Sequence, residues 1–510
     1  MQAPFRLLRT LMALFLMAQL SANAADAVQT TSGTFLGDTL PGPEAGGVLA
    51  FKGMPYAEPP VGAKRWQAPK PARAARATIA AGGFGPACLQ PRAPGSDAMA
   101  TSEDCLTLNV WTPGLDRRLR PVLVWIHGGG FRTGSGNIPG ELLAKQDAVV
   151  VSLNYRLGPL GFFAHPALGS KVANFGLKDM ELALTWVRDN IINFGGNPHN
   201  VTIFGVSAGG QAVNMLMVSP SARGLFDKAI AQSGYATWPL PRTARAPSPA
   251  PRAMNMAPAD SAEAIALAVA AKVKSGKLSA RSLRKLDGQT LVDAHEGFQM
   301  PIVDGTSLPE EPAILFDRGA QAAVPYLTGG NSFEGSVMPA SGITPESFSA
   351  DLGADLDPLL REYPNDMAVS RQQALQRLFG DNRYVLSARY LASRMGKVGA
   401  ESWLYYIDLG PAQNPDRWPG TPHGFDYVLL FGTDKESNAA RRDLGVRLQQ
   451  YWLAFARKAR PEPSGLPFWP AYLPETDRWM VFGERDGERT GVIKPKLDAL
   501  TARHERRVAH

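Results

Sequence analysis

Residues 201–210, VTIFGVSAGG, run from an apolar, β-branched stretch (Val201, Ile203, Phe204) straight into Gly205-Val206-Ser207-Ala208-Gly209. An apolar, helix-like segment, residues 211–218, follows. Strand, sharp turn and helix in that order, with G-x-S-x-G at the turn, make the pattern of a nucleophile elbow. The serine there holds strained backbone geometry, and side chains two residues before or after it would collide across the turn, so both positions need glycine. Ser207 is the candidate nucleophile. The same five residues also occur in glycine-rich loops whose serine only caps or meets solvent, so the assignment depends on its surroundings.

Upstream, residues 121–126 (PVLVWI) form a continuous apolar run, the kind of strand buried on both faces of a parallel sheet. It leads directly into His127-Gly128-Gly129-Gly130-Phe131. Consecutive glycines after a buried strand leave backbone N–H groups open to an approaching ligand, as an oxyanion hole requires; a plain flexible turn is the alternative. Residues 148–153 read as the next buried strand, and residues 179–193 carry the apolar spacing of an amphipathic helix through Met180, Leu184, Val187 and Ile191. The alternation predicts a mostly parallel sheet with helices on both faces.

Downstream, residues 229–234, 325–329 and 403–409 read as further strands. The second is followed by Gly330-Asn331-Ser332-Phe333-Glu334-Gly335, which sets a carboxylate in a loop just past a strand end. Of the seven histidines, His504 and His510 fall in the C-terminal tail, His295 on a stretch expected to be exposed, and His165 and His199 beside prolines; His127 lies inside the glycine turn. His423, flanked by Gly420 and Gly424, alone follows both the serine and the acid. The order Ser…Glu…His is that of α/β-hydrolases.

Composition bounds the rest. The 510 residues are 45% hydrophobic and 19% charged, enough for a large core, and no internal repeat or long linker divides them. Arg6 and Arg9, the apolar run 11–20 and Ala22-Asn23-Ala24 have the three parts of a secretory signal peptide cleaved after Ala24, leaving residues 25–510 as one expected domain. No other stretch suits a membrane span, so a secreted or periplasmic protein is expected. In that oxidising compartment the two cysteines, Cys88 and Cys105, are expected to pair, worth roughly 3 kcal/mol in the chain-entropy model; two buried free thiols are the alternative. Removing Arg6 and Arg9 from the +7 formal charge leaves +5, part of it in Arg503, Arg506 and Arg507, read as a solvated, frayed tail. No basic stripe interleaved with aromatics marks a nucleic-acid partner. Residues 238–260, rich in proline and alanine, read as an inserted cap or lid or as an ordinary surface loop.

Taken together, these stretches resemble the type-B carboxylesterase family, which includes the cholinesterases and bacterial para-nitrobenzyl esterases. The resemblance runs through FKGMPYAEPPVG from Phe51, EDCLTLNVW from Glu103, HGGGF from His127, NYRLGPLGF from Asn154, NFGLKDMELALTWV from Asn174, FGGNPHNVTIFGVSAGG from Phe194, AQSG from Ala231, the Asn331 to Glu334 loop, HGFDYVLLFG from His423 and FWPAY from Phe468. It implies an α/β-hydrolase fold with inserted cap segments, a triad of Ser207, Glu334 and His423, and oxyanion donors from Gly129, Gly130 and Ala208. It also implies a bridge between Cys88 and Cys105, and neither metal nor organic cofactor.

In one place the chain departs from the family, which usually has glutamate before the nucleophile; here it is Val206. The missing carboxylate disfavours cationic esters and favours neutral or anionic ones. Arg132, directly after the glycine turn, is either a cation at the site mouth able to hold a substrate carboxylate or a solvated loop residue. Trp238 lines the acyl pocket or belongs to the core. The expected activity is therefore hydrolysis of a small-molecule carboxylic ester. Alternatives are a bulky polycarboxylate ester of the mycotoxin type, a lactone or an amide on the same triad and, more remotely, a non-catalytic binding module. The oligomeric state is not legible.

Overall fold

The computed structural model describes residues 27–40, 47–91, 99–246, 261–410, 418–435 and 438–509. The leader 1–24 and the greater part of the proline-rich segment, 247–260, lie outside them. The main sheet contains β1 (Asp38–Thr39), β2 (Leu49–Pro55), β3 (Thr107–Thr112), β4 (Arg120–Ile126), β5 (Val149–Leu153), β6 (Gly196–Val206), β7 (Lys228–Gln232), β8 (Tyr326–Asn331), β9 (Ser402–Ile407), β10 (Arg478–Phe482) and β11 (Gly487–Thr490). Their order across the sheet is β11-β10-β9-β8-β7-β6-β4-β5-β3-β2-β1. Pairing is parallel from β5 to β10, and antiparallel strands extend both edges.

The continuous apolar runs are explained by burial on two sides. Along β4, Val122, Val124 and Ile126 enter one core layer, while Leu123 and Trp125 enter the other. The first layer is closed by α1 (Phe175–Asn190) and α2 (Ala208–Val218), through Met180, Leu184, Val187, Val213 and Leu216, and by α3 (Arg371–Gly380) and α4 (Leu386–Arg394). The second is closed by α5 (Phe425–Leu430) and α6 (Ala439–Lys458), whose Leu444, Leu448, Trp452 and Phe455 pack on Phe204, Trp403 and Tyr405. Each large apolar side chain so buried contributes about 2 kcal/mol.

Polar pins fix the layers. Asp179 of α1 is fully buried and chelates the Arg156 guanidinium at 2.7 and 2.8 Å. Trp66 anchors the proline-rich coil after β2 by stacking on Phe163 at 5.0 Å and donating to the Pro159 carbonyl at 2.8 Å. Cys88 and Cys105 are joined in a disulfide, with both residues buried.

The C-terminal residues are not a frayed tail. They complete α7 (Lys494–Val508), in which Leu497, Leu500 and His504 are buried. Arg507 reaches Glu311 at 2.8 Å and the Thr237 carbonyl at 3.0 Å. The apolar stripe three and four residues apart is masked in the sequence by the arginines between its members. Among the described residues no helix is long and apolar enough to cross a membrane.

Candidate active site

The register aligns Gly205 of β6 with Ile126 of β4, and Val206 with Gln232 of β7, so the loops after these strands emerge side by side. Ser207 occupies the turn with φ 57° and ψ −120°, a region that non-glycine residues adopt only under strain. Its N–H donates to the Gln232 carbonyl at 2.8 Å. The surrounding glycines are sterically required: a Cβ at Gly209 would lie 2.0 Å from the Ile126 carbonyl oxygen, and one at Gly205 2.5 Å from it. Ala208 begins α2, so its N–H belongs to the first helical turn, where donors have no intrahelical acceptor and the helix dipole is positive.

Beside the elbow, Gly129 and Gly130 have φ of 99° and 62°, and a Cβ on Gly128 would meet the Val206 carbonyl at 2.7 Å. Among the described residues no protein acceptor takes the N–H of Gly129 or Gly130. The loop is braced from beneath by His127, whose ring stacks on Tyr155 at 4.2 Å and whose Nδ1–H donates to the Gly128 carbonyl at 2.9 Å. Burial pushes the His127 pKa down to about 4, so the ring is neutral and structural.

Glu334, three residues past β8, is 1% exposed. Its Oε2 contacts Nδ1 of His423, and its Oε1 accepts from Ser233 Oγ at 2.6 Å, the Asn331 N–H at 2.6 Å and Asn331 Nδ2 at 3.2 Å. His423 is held from its backbone, where its N–H donates to Ser336 Oγ at 2.9 Å, and from its ring face, where Tyr384 lies 4.5 Å away. Nε2 of His423 is buried and, among the described residues, makes no hydrogen bond, to Ser207 or to any other group. Such bonds often tighten only when substrate is present. Their loops meet at Val206, whose Cγ2 would lie 3.9 Å from a Cβ on Gly424.

Other residues singled out from the sequence have different surroundings. Val206 is 6% exposed and wedged between the glycine loop and the histidine loop. Arg132 is half-buried and acts electrostatically on His295 and Glu296, on the outer side of the glycine loop. Its Nε is buried and has no partner. His295 is half-buried and His504 buried, not exposed. Trp238 is half-buried, stacked on Phe348 at 6.3 Å and edge-on to Phe379 at 5.8 Å. The sequence did not single out Ser233, Ser336, Tyr384 or Arg383. Only Ser233 left a trace, in the A-Q-S-G stretch ending β7.

The carboxylesterase family model matches residues 24–498. The chain is 33% identical over 479 residues to the fumonisin B1 esterase of Sphingopyxis macrogoltabida, covering 88% of this chain and 85% of that protein. It is also 33% identical over 463 residues to the para-nitrobenzyl esterase of Bacillus subtilis, covering 85% and 91%. A solved structure of a PNB esterase superposes with a TM-score of 0.80 at 30% identity, covering 93% of this chain and 99% of that one. With the sheet order, the elbow and the Glu334–His423 contact already in place, these matches establish that the chain belongs to the carboxylesterase family, as a carboxylic ester hydrolase with the α/β-hydrolase fold.

Proposed function

We propose that the protein is a secreted serine carboxylesterase in which Ser207 is the nucleophile, His423 the general base and then acid, and Glu334 the carboxylate that orients and charge-stabilises His423. The observation that carries the reading is the contact between Glu334 and Nδ1 of His423, beside a serine strained at the end of β6. His423 removes the Ser207 proton as Oγ attacks the ester carbonyl. The N–H groups of Gly129, Gly130 and Ala208 hold the tetrahedral oxyanion, each donor worth about 3 kcal/mol. His423 then protonates the departing alcohol, and water activated by the same ring releases the acid from the acyl-enzyme. Export through residues 1–24 fits the Cys88–Cys105 bridge.

A second reading, an anionic polycarboxylate ester as substrate, is favoured by the apolar Val206 in place of a carboxylate beside Ser207 and by the similarity to a fumonisin B1 esterase.

The test is hydrolysis of para-nitrophenyl esters from acetate to octanoate by the mature chain and by Ser207→Ala. Turnover lost in the variant, with organophosphate labelling of wild type alone, is expected. Undiminished turnover by Ser207→Ala would overturn the assignment.

A further inference from the structure

Among the described residues the other buried arginines are matched to carboxylates: Arg156 to Asp179 at 2.7 Å, Arg120 to Asp116 at 2.9 Å and to Asp147 at 2.7 Å, Arg65 to Glu103 at 2.7 Å and Arg441 to Asp434 at 3.2 Å; half-buried Arg377 is matched to Asp366 at 2.8 Å. Arg383 is different. It is 1% exposed, and among the described residues no carboxylate pairs with it. Its surroundings are aromatic. Cζ lies 4.3 Å from the ring centre of Tyr235, 4.8 Å from Trp238, 5.8 Å from Phe298 and Tyr384, and 5.9 Å from Phe379. Nη2 reaches only the Met300 sulfur, at 3.6 Å, and Nε has no partner.

The hydroxyls of Tyr235 and Tyr384 are also buried, and neither makes a hydrogen bond of good geometry; the Arg383 guanidinium is the polar group that acts on both. Burial raises both phenol pKa values, and the Arg383 charge partly opposes the rise, which places both hydroxyls within its field. A guanidinium is donor-only and each phenol carries a donor, so this cluster is short of acceptors. Cation–π contact compensates a desolvated guanidinium in part but leaves its N–H groups unsatisfied.

The cluster adjoins the reaction centre on two sides. The Phe298 ring lies against Gly130, 2.2 Å from where a Cβ there would stand, and the Tyr384 ring packs on His423. Trp238, Phe298 and Met300, which touch the guanidinium, are only half-buried. Arg383 and Tyr384 are neighbours in a π-helical turn, Asp381–Val385, between α3 and α4, a distortion that recurs at functional sites.

We propose that Arg383, with the hydroxyls of Tyr235 and Tyr384, receives a carboxylate carried by the ester substrate, making the enzyme selective for half-esters of polycarboxylic acids or esters of carboxylated alcohols. The inference rests on ester hydrolysis at Ser207. It moves the anion-binding role from half-buried Arg132 to a cation enclosed by aromatic rings next to His423.

Two substrate pairs test it: para-nitrophenyl butyrate against mono-para-nitrophenyl glutarate, and phenyl butyrate against meta-carboxyphenyl butyrate. The expected result with Arg383→Met is a fall of about 10- to 100-fold in the anionic-to-neutral ratio of kcat/KM for at least one pair, mostly in KM, with Arg383→Lys intermediate. The pair that responds identifies the half of the ester that reaches the cluster. Ratios within about twofold of wild type in both pairs would overturn the proposal, however far the absolute rates fall. If Arg383→Met does not fold, wild-type inhibition decides. Glutarate is expected to compete with para-nitrophenyl butyrate at least about 10-fold more tightly than glutaramide, and equal inhibition would overturn the proposal. Turnover of neutral ester that survives Ser207→Ala would instead overturn the underlying reading, independently of any ratio.

Discussion

The Ser233 hydroxyl donates to Oε1 of Glu334 at 2.6 Å, while Oε2 of the same carboxylate faces His423. With Glu334 desolvated, Ser233 and Asn331 fix which oxygen the histidine meets. Ser233 holds this position at φ 47°, which costs an L-residue about 1–2 kcal/mol. Ser233→Gly removes the hydroxyl and relieves the strain together. Its kcat is expected to fall about 10-fold with KM nearly unchanged, while the melting temperature does not fall. Ser233→Ala should lose kcat equally without the relief. A kcat within about twofold of wild type in both would show that Asn331 alone orients the carboxylate.

The elbow makes a steric prediction. A methyl at Gly209 would stand 2.0 Å from the Ile126 carbonyl oxygen, between two backbones that cannot both move. Gly209→Ala should therefore displace Ser207 from the oxyanion donors, lowering kcat/KM more than about 100-fold and stability by about 1–3 kcal/mol. Gly169, at φ 62° and with no atom within 4 Å of its Cβ position, is the control: there a methyl meets backbone strain but no steric clash. Alanine there should cost about 1 kcal/mol and leave kcat/KM unchanged, as denaturant titration and ester kinetics can check.

The elbow was legible because its cause is local: strand, glycine spacing and helix lie within 18 residues, 201–218. The contact between Glu334 and His423 joins two residues that chain order singles out, each in a loop beyond a strand. The supports of Glu334 are not singled out that way. Ser233 lies 101 positions away, and only the parallel pairing of β7 with β8 brings it alongside. The search for a substrate cation illustrates the same limit. Arg132 stands out in the sequence because it adjoins the glycine turn, whereas the aromatic enclosure of Arg383 arises only through tertiary packing. The tail was misjudged because local charge density conceals a stripe of three buried residues.

The disulfide is linked to the glycine loop through Gln90. Two residues past Cys88, Gln90 clamps Gly134, accepting from its N–H at 2.9 Å and donating to its carbonyl at 3.0 Å. Gly134 in turn abuts His127, beneath the glycine loop. The double variant Cys88→Ser/Cys105→Ser should lose about 3 kcal/mol of stability and also lower kcat several-fold. Gln90→Leu should reproduce the kcat loss with a much smaller change in melting temperature. If Gln90→Leu retained full kcat, the bridge would act on stability alone.

Three buried groups, His127, His504 and Asp381, act on the acid limb of stability with large shifts. His165 and His295, lowered by burial, act in the same direction as those two histidines, and Asp179 and Asp426, raised by burial, act in the same direction as Asp381. His127 and His504 are pushed by burial down to about 4 and about 3, from 6.5, so the unfolded chain takes up their protons first. Their stabilisation is complete above pH 6.5 and is lost as pH falls toward the folded values, at about 1.4 kcal/mol per group per pH unit. Asp381 acts oppositely. Burial raises it from 3.8 to about 6, so the folded state takes up its proton first and regains stability between those values as pH falls. The two histidine shifts, to about 4 and about 3 from 6.5, together exceed the Asp381 shift, from 3.8 to about 6, and the melting temperature should decline from pH 7 to 4.5. His504→Gln removes the larger of the two histidine shifts and should make that decline shallower. Asp381→Asn should stabilise the protein at pH 7 and steepen the decline. Differential scanning calorimetry across this range checks all three slopes, and parallel slopes in wild type and both variants would show that other groups govern acid unfolding.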